Sequence, residues 1–447
     1  MMEMLGTGGA SHGKGVRVNN IDRAFKRAML GLMASAIAVQ PAFAEPEVTP
    51  SSRVKRNVVV RSEADGDTVI GALNPGDEAA LLGQTSRWYQ IRLPDGRIGY
   101  VSKSWTVITE DGQPFAATSA APIKVHVIDV GTGLATFIEG PGFTLLYDAG
   151  SQDDLATGQD NRVVAYIKAV RPDVTTIDHL ILSHPHKDHL ELLPDVFEKF
   201  SVRHVWDSGA VNKTRGYCRF LKAVAAEPGA EYHNSIATGG SVRVVFPGRS
   251  CREATVQQAA MMTAQPVALG PSSSMSFLYR DPSHHSDPNE NTVVVRLDHG
   301  TNRLLLAGDA EGGERQHPSN APKPDSIEAK LIACCAAALR ANVLIVGHHG
   351  SLTSSRRSFL DAVGASIYVI SSGPYPYKKV VLPDEAIETE LKGRGQLFQT
   401  DLADDDCALD ETKIGPDADE SPGGCDSVVV TLPTSGPATA VYNRSAD

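Results

Sequence analysis

Between Ser183 and Leu190 the chain reads Ser-His-Pro-His-Lys-Asp-His-Leu, which puts His184, His186, Asp188 and His189 within six residues. Imidazole nitrogen and carboxylate oxygen are donors that suit zinc, manganese or iron. A spacing of one residue lets His184 and His186 approach the same ion from a turn, and Asp188 and His189 then face a neighbouring position where a second ion fits. A solvated polar loop seldom gathers four ligand-type side chains so closely, and the stretch reads as a metal-binding turn.

Ligands on a turn need an element to hold them. The apolar run Ile177-Asp178-His179-Leu180-Ile181-Leu182 supplies one, a buried strand that delivers its ligands at the C-terminal end. Strand-like runs also occur over 123–131, 134–139, 143–150, 303–310 and 342–351, the last two with the polar tips Asp309 and His348-His349. A helix-like stretch over 162–169 leads into the histidine strand, and 427–432 reads as a final strand. Strands alternating with helices predict a layered α/β domain whose sheets are covered by helices, with the site at the strand ends.

The chain has 447 residues, 41% of them hydrophobic, which is enough for two domains and a leader. Its formal charge of −11 argues against a general nucleic-acid coat protein, while leaving open the local field of a cleft that holds two dications. Residues 1–44 read as a signal peptide: Arg23, Lys26 and Arg27 precede an apolar run over 28–39, and Pro41-Ala42-Phe43-Ala44 offers a cleavage point. No other segment is long and apolar enough for a bilayer, so a periplasmic or secreted chain without a transmembrane segment is expected. Six cysteines in an exported chain predict disulfides. Cys407 with Cys425, across an acidic loop, is the first expectation and Cys218 with Cys251 the second. Cys334 and Cys335, in an Ala-rich helical stretch, read as buried thiols.

Linkers over 45–55 and 111–122 bracket a different pattern. Short apolar runs over 57–61, 69–71, 79–82, 88–93 and 98–101 are separated by Asp65-Gly66, Asn74-Pro75-Gly76-Asp77 and Pro94-Asp95-Gly96, which predicts a small all-β barrel. Over 56–108 these residues resemble the bacterial SH3 family, in the Trp88-Tyr89 pair, the Asp-Gly turn and Gly99-Tyr100. The resemblance implies a domain that binds cell-wall peptides, and so peptidoglycan as a partner. Trp88, Tyr89, Tyr100 and Trp105 divide between binding and packing roles.

Over 123–435 the ordered set Asp129-Val130-Gly131-Thr132-Gly133, Leu146-Tyr147-Asp148-Ala149-Gly150, His184-x-His186-x-Asp188-His189, Asn289-x-Asn291-Thr292, Ala307-Gly308-Asp309-Ala310 and Gly347-His348-His349-Gly350-Ser351 resembles the metallo-β-lactamase fold, and within it the hydrolase domain of the ComEC competence proteins. The resemblance implies an αββα sandwich and a metal-dependent hydrolase holding two divalent ions, zinc first and manganese second. By it, His184, His186, Asp188, His189, Asp309 and His348 become metal ligands, Asp309 bridging. Asp188 and His349 take the catalytic roles, and His349 shares with His348 the claim to a metal. Asp148 orients a ligand histidine, and Ser351, Thr353 and Ser354 donate to substrate oxygens. Two cations so placed lower the pKa of a shared water and polarise the oxygen under attack.

The chain departs from that pattern. A further histidine is expected between the His-rich motif and Asp309, where the sequence reads Val244-Val245-Phe246-Pro247. His284 and His285 lie in a polar loop segment. An acidic residue is replaced by Leu134 and a His-Pro pair by Leu382-Pro383. Three readings follow: an exported phosphodiesterase or nuclease-type hydrolase, a lactone or ester hydrolase, and a cell-wall-binding protein with a degenerate hydrolase domain. Arg203, Lys213, Arg215 and Arg219, with Arg356, Arg357, Lys378 and Lys379, favour a phosphate-containing substrate over an ester.

Overall fold

The computed structural model describes residues 47–51, 53–85, 87–93, 97–110, 113–114, 121–153, 156–236, 240–248, 250–400, 402 and 426–443. The proposed leader and the Cys407 and Cys425 pair lie outside them. The chain divides into a compact unit ending at Pro114 and a second beginning at Phe115.

The first unit is an eight-stranded sheet whose adjoining strands pair antiparallel. Five of its strands, Val58–Arg61, Val69–Leu73, Ala79–Gln84, Trp88–Arg92 and Ile98–Ser102, fall on the five apolar runs. Three more do not. Glu47–Pro50 lies in the stretch read as a linker, yet it pairs with both Ala79–Gln84 and Thr106–Glu110, and Val48 is fully buried. Its alternation, with Val48 and Pro50 inward, is that of a half-buried strand and is too short to stand out from a linker by composition. Gln113–Pro114 pairs with the end of Thr106–Glu110. Val58, Val60, Ile91 and Val101 fill the core.

The second unit stacks two sheets between helices. A ten-stranded sheet runs, by strand, through Gly240–Val245, Glu253–Met261, Glu231–Asn234, Ser201–Asp207, Thr176–Leu182, Phe143–Ala149, Ala135–Gly140, Ile123–Val127, Val428–Leu432 and Thr439–Tyr442. A seven-stranded sheet runs from Val267–Gly270 through Ser273–Tyr279, Val294–His299, Asn302–Leu306, Val343–Ile345 and Ile367–Ile370 to Gln396–Gln399. Leu145, Tyr147 and Ile181 of one sheet meet Val295, Leu304, Ile345 and Val369 of the other. The helices Arg162–Val170, Leu193–Lys199 and Arg215–Ala226 cover the first sheet through Ile167, Val196 and Phe220. Ile327–Leu339, Arg357–Val363 and Glu385–Lys392 cover the second through Leu331, Leu360 and Ile387. This is the αββα sandwich expected from the sequence. Among the described residues no helix is long and apolar enough to cross a membrane.

Strands that become sites are parallel neighbours in both halves. Phe143–Ala149, Thr176–Leu182 and Ser201–Asp207 are in parallel register, as are Asn302–Leu306, Val343–Ile345 and Ile367–Ile370. Their C-terminal ends emerge together, which gathers Asp148, Ser183 to His189, Asp309 and the His348-His349 turn at one rim.

Cys218 and Cys251 form a disulfide across a sequence separation of 33, tying the helix Arg215–Ala226 to the edge of the sheet. Cys334 and Cys335 are not the buried thiols the Ala-rich stretch implied. They are bonded to each other on the outer side of their helix, where Cys335 departs from helical geometry, because Ile327, Leu331 and Leu339 already supply the buried face.

Candidate metal centre

His189 and His349 are each held by the atom behind the ring. Asp148, at φ +59, turns its carboxylate back under the histidine loop, accepting from Ser183 N and Ser183 Oγ at 2.6 Å each and from His189 Nδ1 at 2.8 Å. With Nδ1 so engaged, His189 presents Nε2 to Asp309 Oδ1 at 3.2 Å. His349 repeats the device with a backbone carbonyl: Nδ1 donates to Ser371 O at 2.8 Å, and Nε2 lies 3.7 Å from both Asp188 Oδ2 and Asp309 Oδ1. A fixed tautomer with one free lone pair is what a metal-ligating histidine needs.

The two oxygens of Asp309 divide the histidines. Oδ1 faces His189 and His349, while Oδ2 faces His184 Nε2 at 3.6 Å and His348 Nε2 at 3.8 Å. His186 lies beside His184 on the site side, its Nδ1 3.0 Å from His184 Nε2. His348 is steadied by Thr353 Oγ1 at 2.7 Å and Glu311 Oε1 at 2.9 Å on Nδ1.

Backbone geometry makes this convergence possible. His348 and His349 both adopt left-handed φ values, near +50, in the short turn after Val343–Ile345. Two consecutive non-glycine residues in that region are costly and persist only where their surroundings impose them. Gly150 lets two segments touch: a Cβ there would lie 2.2 Å from His189 N.

Charge and burial are matched. His189 resists the burial that disfavours its charge, because Asp309 and Asp148 raise its pKa well above the ordinary imidazole range. Burial, with His189 beside it, pushes His184 well below that range. Asp309 is buried too, yet the surrounding imidazoles, His189 foremost, hold its carboxyl far below the usual value. His189 Nε2, His349 Nε2 and Asp309 Oδ1 are buried without a hydrogen-bond partner in the protein. Orphaned lone pairs aimed at one another fit a cation, and two sets of three lie close enough to share one: His184, His189 and Asp309, and Asp188, His189 and His349.

Other expected residues sit elsewhere. Ser351, Thr353 and Ser354, expected to donate to substrate oxygens, brace the turn: Ser351 Oγ accepts from Arg315 and Thr353, and Ser354 Oγ donates to Gly347 O. His285 pairs with Asp281 and Glu290, apart from the cluster. Val244 to Phe246 belongs to the edge of the ten-stranded sheet. Arg203 and Arg219 are paired with Asp178 and Glu191, Arg357 pairs with Glu390, and Arg356 is buried among backbone carbonyls. Lys213, Arg215, Lys378 and Lys379 remain exposed.

Tyr377 escaped the sequence reading. Its hydroxyl donates to Asp188 Oδ2 and its ring stacks on His349 at 6.3 Å between centroids. The loop that carries it is anchored by Tyr375 N on Thr132 Oγ1 at 2.8 Å. The signal lay in its position, an aromatic in a Gly/Pro loop that follows a parallel strand.

Residues 128–216 match the sequence profile described as Metallo-beta-lactamase superfamily, and residues 56–107 match Bacterial SH3 domain. These matches and the sandwich support a metal-dependent hydrolase of the metallo-β-lactamase fold in the second unit, with His/Asp clusters that suit divalent metal, and a resemblance to bacterial SH3 domains in the first. The hydrolase is similar to Recombination protein 2 of Haemophilus influenzae, 25% identical over 59% of this chain and 26% of that protein. It is also similar to Competence protein ComA of Neisseria gonorrhoeae, 26% identical over 67% of this chain and 35% of that one. The chain thus spans about a quarter to a third of the length of these relatives. Among solved structures, the metallo-beta-lactamase fold protein YhfI of Bacillus subtilis aligns at 15% identity and a TM-score of 0.37, over 63% of this chain and 97% of that one.

Proposed function

We propose that the hydrolase domain is a dinuclear phosphodiesterase, exported, with zinc as its preferred metal and manganese as the alternative. The observation that carries the reading is the division of the histidines between the two oxygens of Asp309. His184, His186 and His348 would hold one ion on the Oδ2 side, and Asp188, His189 and His349 the other on the Oδ1 side, with Asp309 between them. On this assignment His348 takes the place of the missing further histidine. When bound, the ions supply an acidified water and Lewis-acid polarisation of the phosphoryl oxygen.

The chain's own groups do the rest. Asp148 keeps His189 facing inward, and Ser371 O does the same for His349. Asp188 Oδ2 receives the proton of the attacking water, and Tyr377 Oη, now its donor, stands ready for a substrate oxygen. The exposed Lys213, Arg215, Lys378 and Lys379 flank residues that touch the histidine loop: Asn212, which donates to Pro185 O, and Tyr377. A cationic rim favours a phosphate polymer over an ester or lactone. Competence and recombination in the relatives' names make nucleic acid the first substrate to try, and the SH3 domain would hold the enzyme at peptidoglycan outside the cytoplasm.

Full-length protein loaded with zinc or manganese is offered bis(p-nitrophenyl) phosphate, single- and double-stranded DNA, an aryl ester and a lactone. Turnover of the phosphodiesters well above the carboxyl esters supports the reading. Turnover confined to esters or lactones sinks it, and retention on isolated peptidoglycan with no turnover at all favours the binding-protein reading.

A further inference from the structure

A second constellation of metal-type ligands lies within the ten-stranded sheet and shares no residue with the first. His204 is on the strand Ser201–Asp207, and Glu231 and His233 are on its parallel neighbour Glu231–Asn234, with His204 opposite Glu231 and Trp206 opposite His233. Side chains at positions 204, 206, 231 and 233 therefore share one face. Their donor atoms form a small triangle. His204 Nδ1 is 3.3 Å from both Glu231 Oε2 and His233 Nε2, and His233 Nε2 is 3.6 Å from Glu231 Oε2.

These edges are long for hydrogen bonds, which for a charged pair run at about 2.7–2.9 Å. They match a coordination polyhedron instead. A tetrahedron with metal–nitrogen and metal–oxygen bonds of about 2.0–2.1 Å has edges of about 3.3–3.4 Å between its ligands. The rings are also set before any ion arrives. His233 is buried and stacks on Trp206 at 4.0 Å between centroids and 16° between planes, and His204 stacks on His179 at 5.0 Å and 16°. Trp206 Nε1 donates to His179 Nδ1 at 3.3 Å, closing the layer behind. Glu231 is exposed and His204 half-buried, so the fourth corner opens to solvent.

We infer that His204, Glu231 and His233 form a mononuclear site for a borderline divalent ion such as zinc, with a solvent-facing fourth position. Two imidazoles and one carboxylate with an open corner are a ligand set that binds zinc tightly and exchanges its fourth ligand. This centre is separate from the one at the strand ends: His179, in the same layer, is five residues before His184, about 16 Å of extended chain. The inference does not depend on the hydrolase reading. An ion here would clip two strands together, and cobalt(II) in its place would put a paramagnetic, quenching metal beside Trp206.

The test counts ions in the full chain after chelator treatment and reloading with cobalt(II) or zinc. His204→Ala and Glu231→Gln are chosen because neither residue is in the core, whereas removal of His233 would disturb the stack. Each should bind one equivalent fewer than the parent, with an unchanged melting temperature of the metal-free protein. Asp309→Ala should keep that equivalent, and cobalt bound to it should still quench the Trp206 emission, an effect absent from Glu231→Gln. Equal stoichiometry and equal quenching in the parent and Glu231→Gln would overturn the inference. So would a cobalt equivalent that survives in Asp309→Ala but leaves Trp206 emission untouched.

Discussion

The chain holds two histidine clusters built on different principles. At the strand ends, the buried His189 and His349 are each locked by a partner, Asp148 for His189 and Ser371 O for His349, on backbone that includes left-handed turns at 148, 348 and 349. Within the sheet, His204, Glu231 and His233 are aligned by ordinary strand register, with aromatic stacking in place of hydrogen-bonded support. The first arrangement confines orientation at the cost of strained backbone, which suits a centre that must hold ions through turnover. The second requires nothing of the backbone and leaves a corner open, which suits a site that fills and empties.

Mutations can press on that difference. Asp309→Ala removes the carboxylate on which four histidines converge, and phosphodiester turnover should fall by about three orders of magnitude or more, with the metal at the strand ends lost. Retention of both ions there, by elemental analysis, would show that Asp309 does not bridge. Asp148→Asn leaves every ligand in place but weakens the acceptor that holds His189 Nδ1–H, and metal affinity should fall roughly 10–100-fold. Trp206→Phe, the corresponding change behind the other cluster, should alter cobalt affinity there far less, because a stack orients a ring without setting its tautomer. Gly150→Ala drives a Cβ against the backbone of His189 and should destabilise by roughly 1–3 kcal/mol, read as a lower melting temperature with weaker metal binding.

The smallest effect is electrostatic. Glu328 is buried beneath the loop behind the histidine turn, where it accepts from the backbone N–H groups of Ser355 and Arg356, and burial raises its pKa from 4.5 to about 8. The folded state therefore holds that proton more tightly than the unfolded chain. The stability it contributes is full below about pH 4.5 and is lost as pH rises through 8. Melting temperatures measured at pH 5 and pH 8 should show a drop in the parent that Glu328→Gln flattens, and an identical drop in both would rule the group out.

How much of this was legible follows the same division. The strand-end centre is written in contiguous letters, because a turn between a strand and a helix packs His184, His186, Asp188 and His189 into a few residues, and the sandwich followed from the apolar runs that deliver it. Its supporting groups were partly visible: Asp148 sat in a quotable motif, whereas Tyr377 reaches Asp188 from 189 residues away. The cross-strand cluster had no motif, since its members come together through the pairing of two strands, and pairing is a long-range property. The strand Glu47–Pro50 was hidden for a related reason: four residues gain a structure only when two neighbours supply the hydrogen bonds.

One feature of the sandwich bears on how it is made. Ile123–Val127 lies between Ala135–Gly140 and Val428–Leu432, so the first strand of the domain is completed by one of its last. A ribosome must add about three hundred residues before that edge is covered, a span set by the positions of these strands. Until then the nascent domain presents a row of unpaired backbone groups, the kind of edge that recruits other chains. Truncation just ahead of Val428 should therefore yield aggregation rather than a smaller enzyme, and the growing chain would need shielding until synthesis reaches that strand.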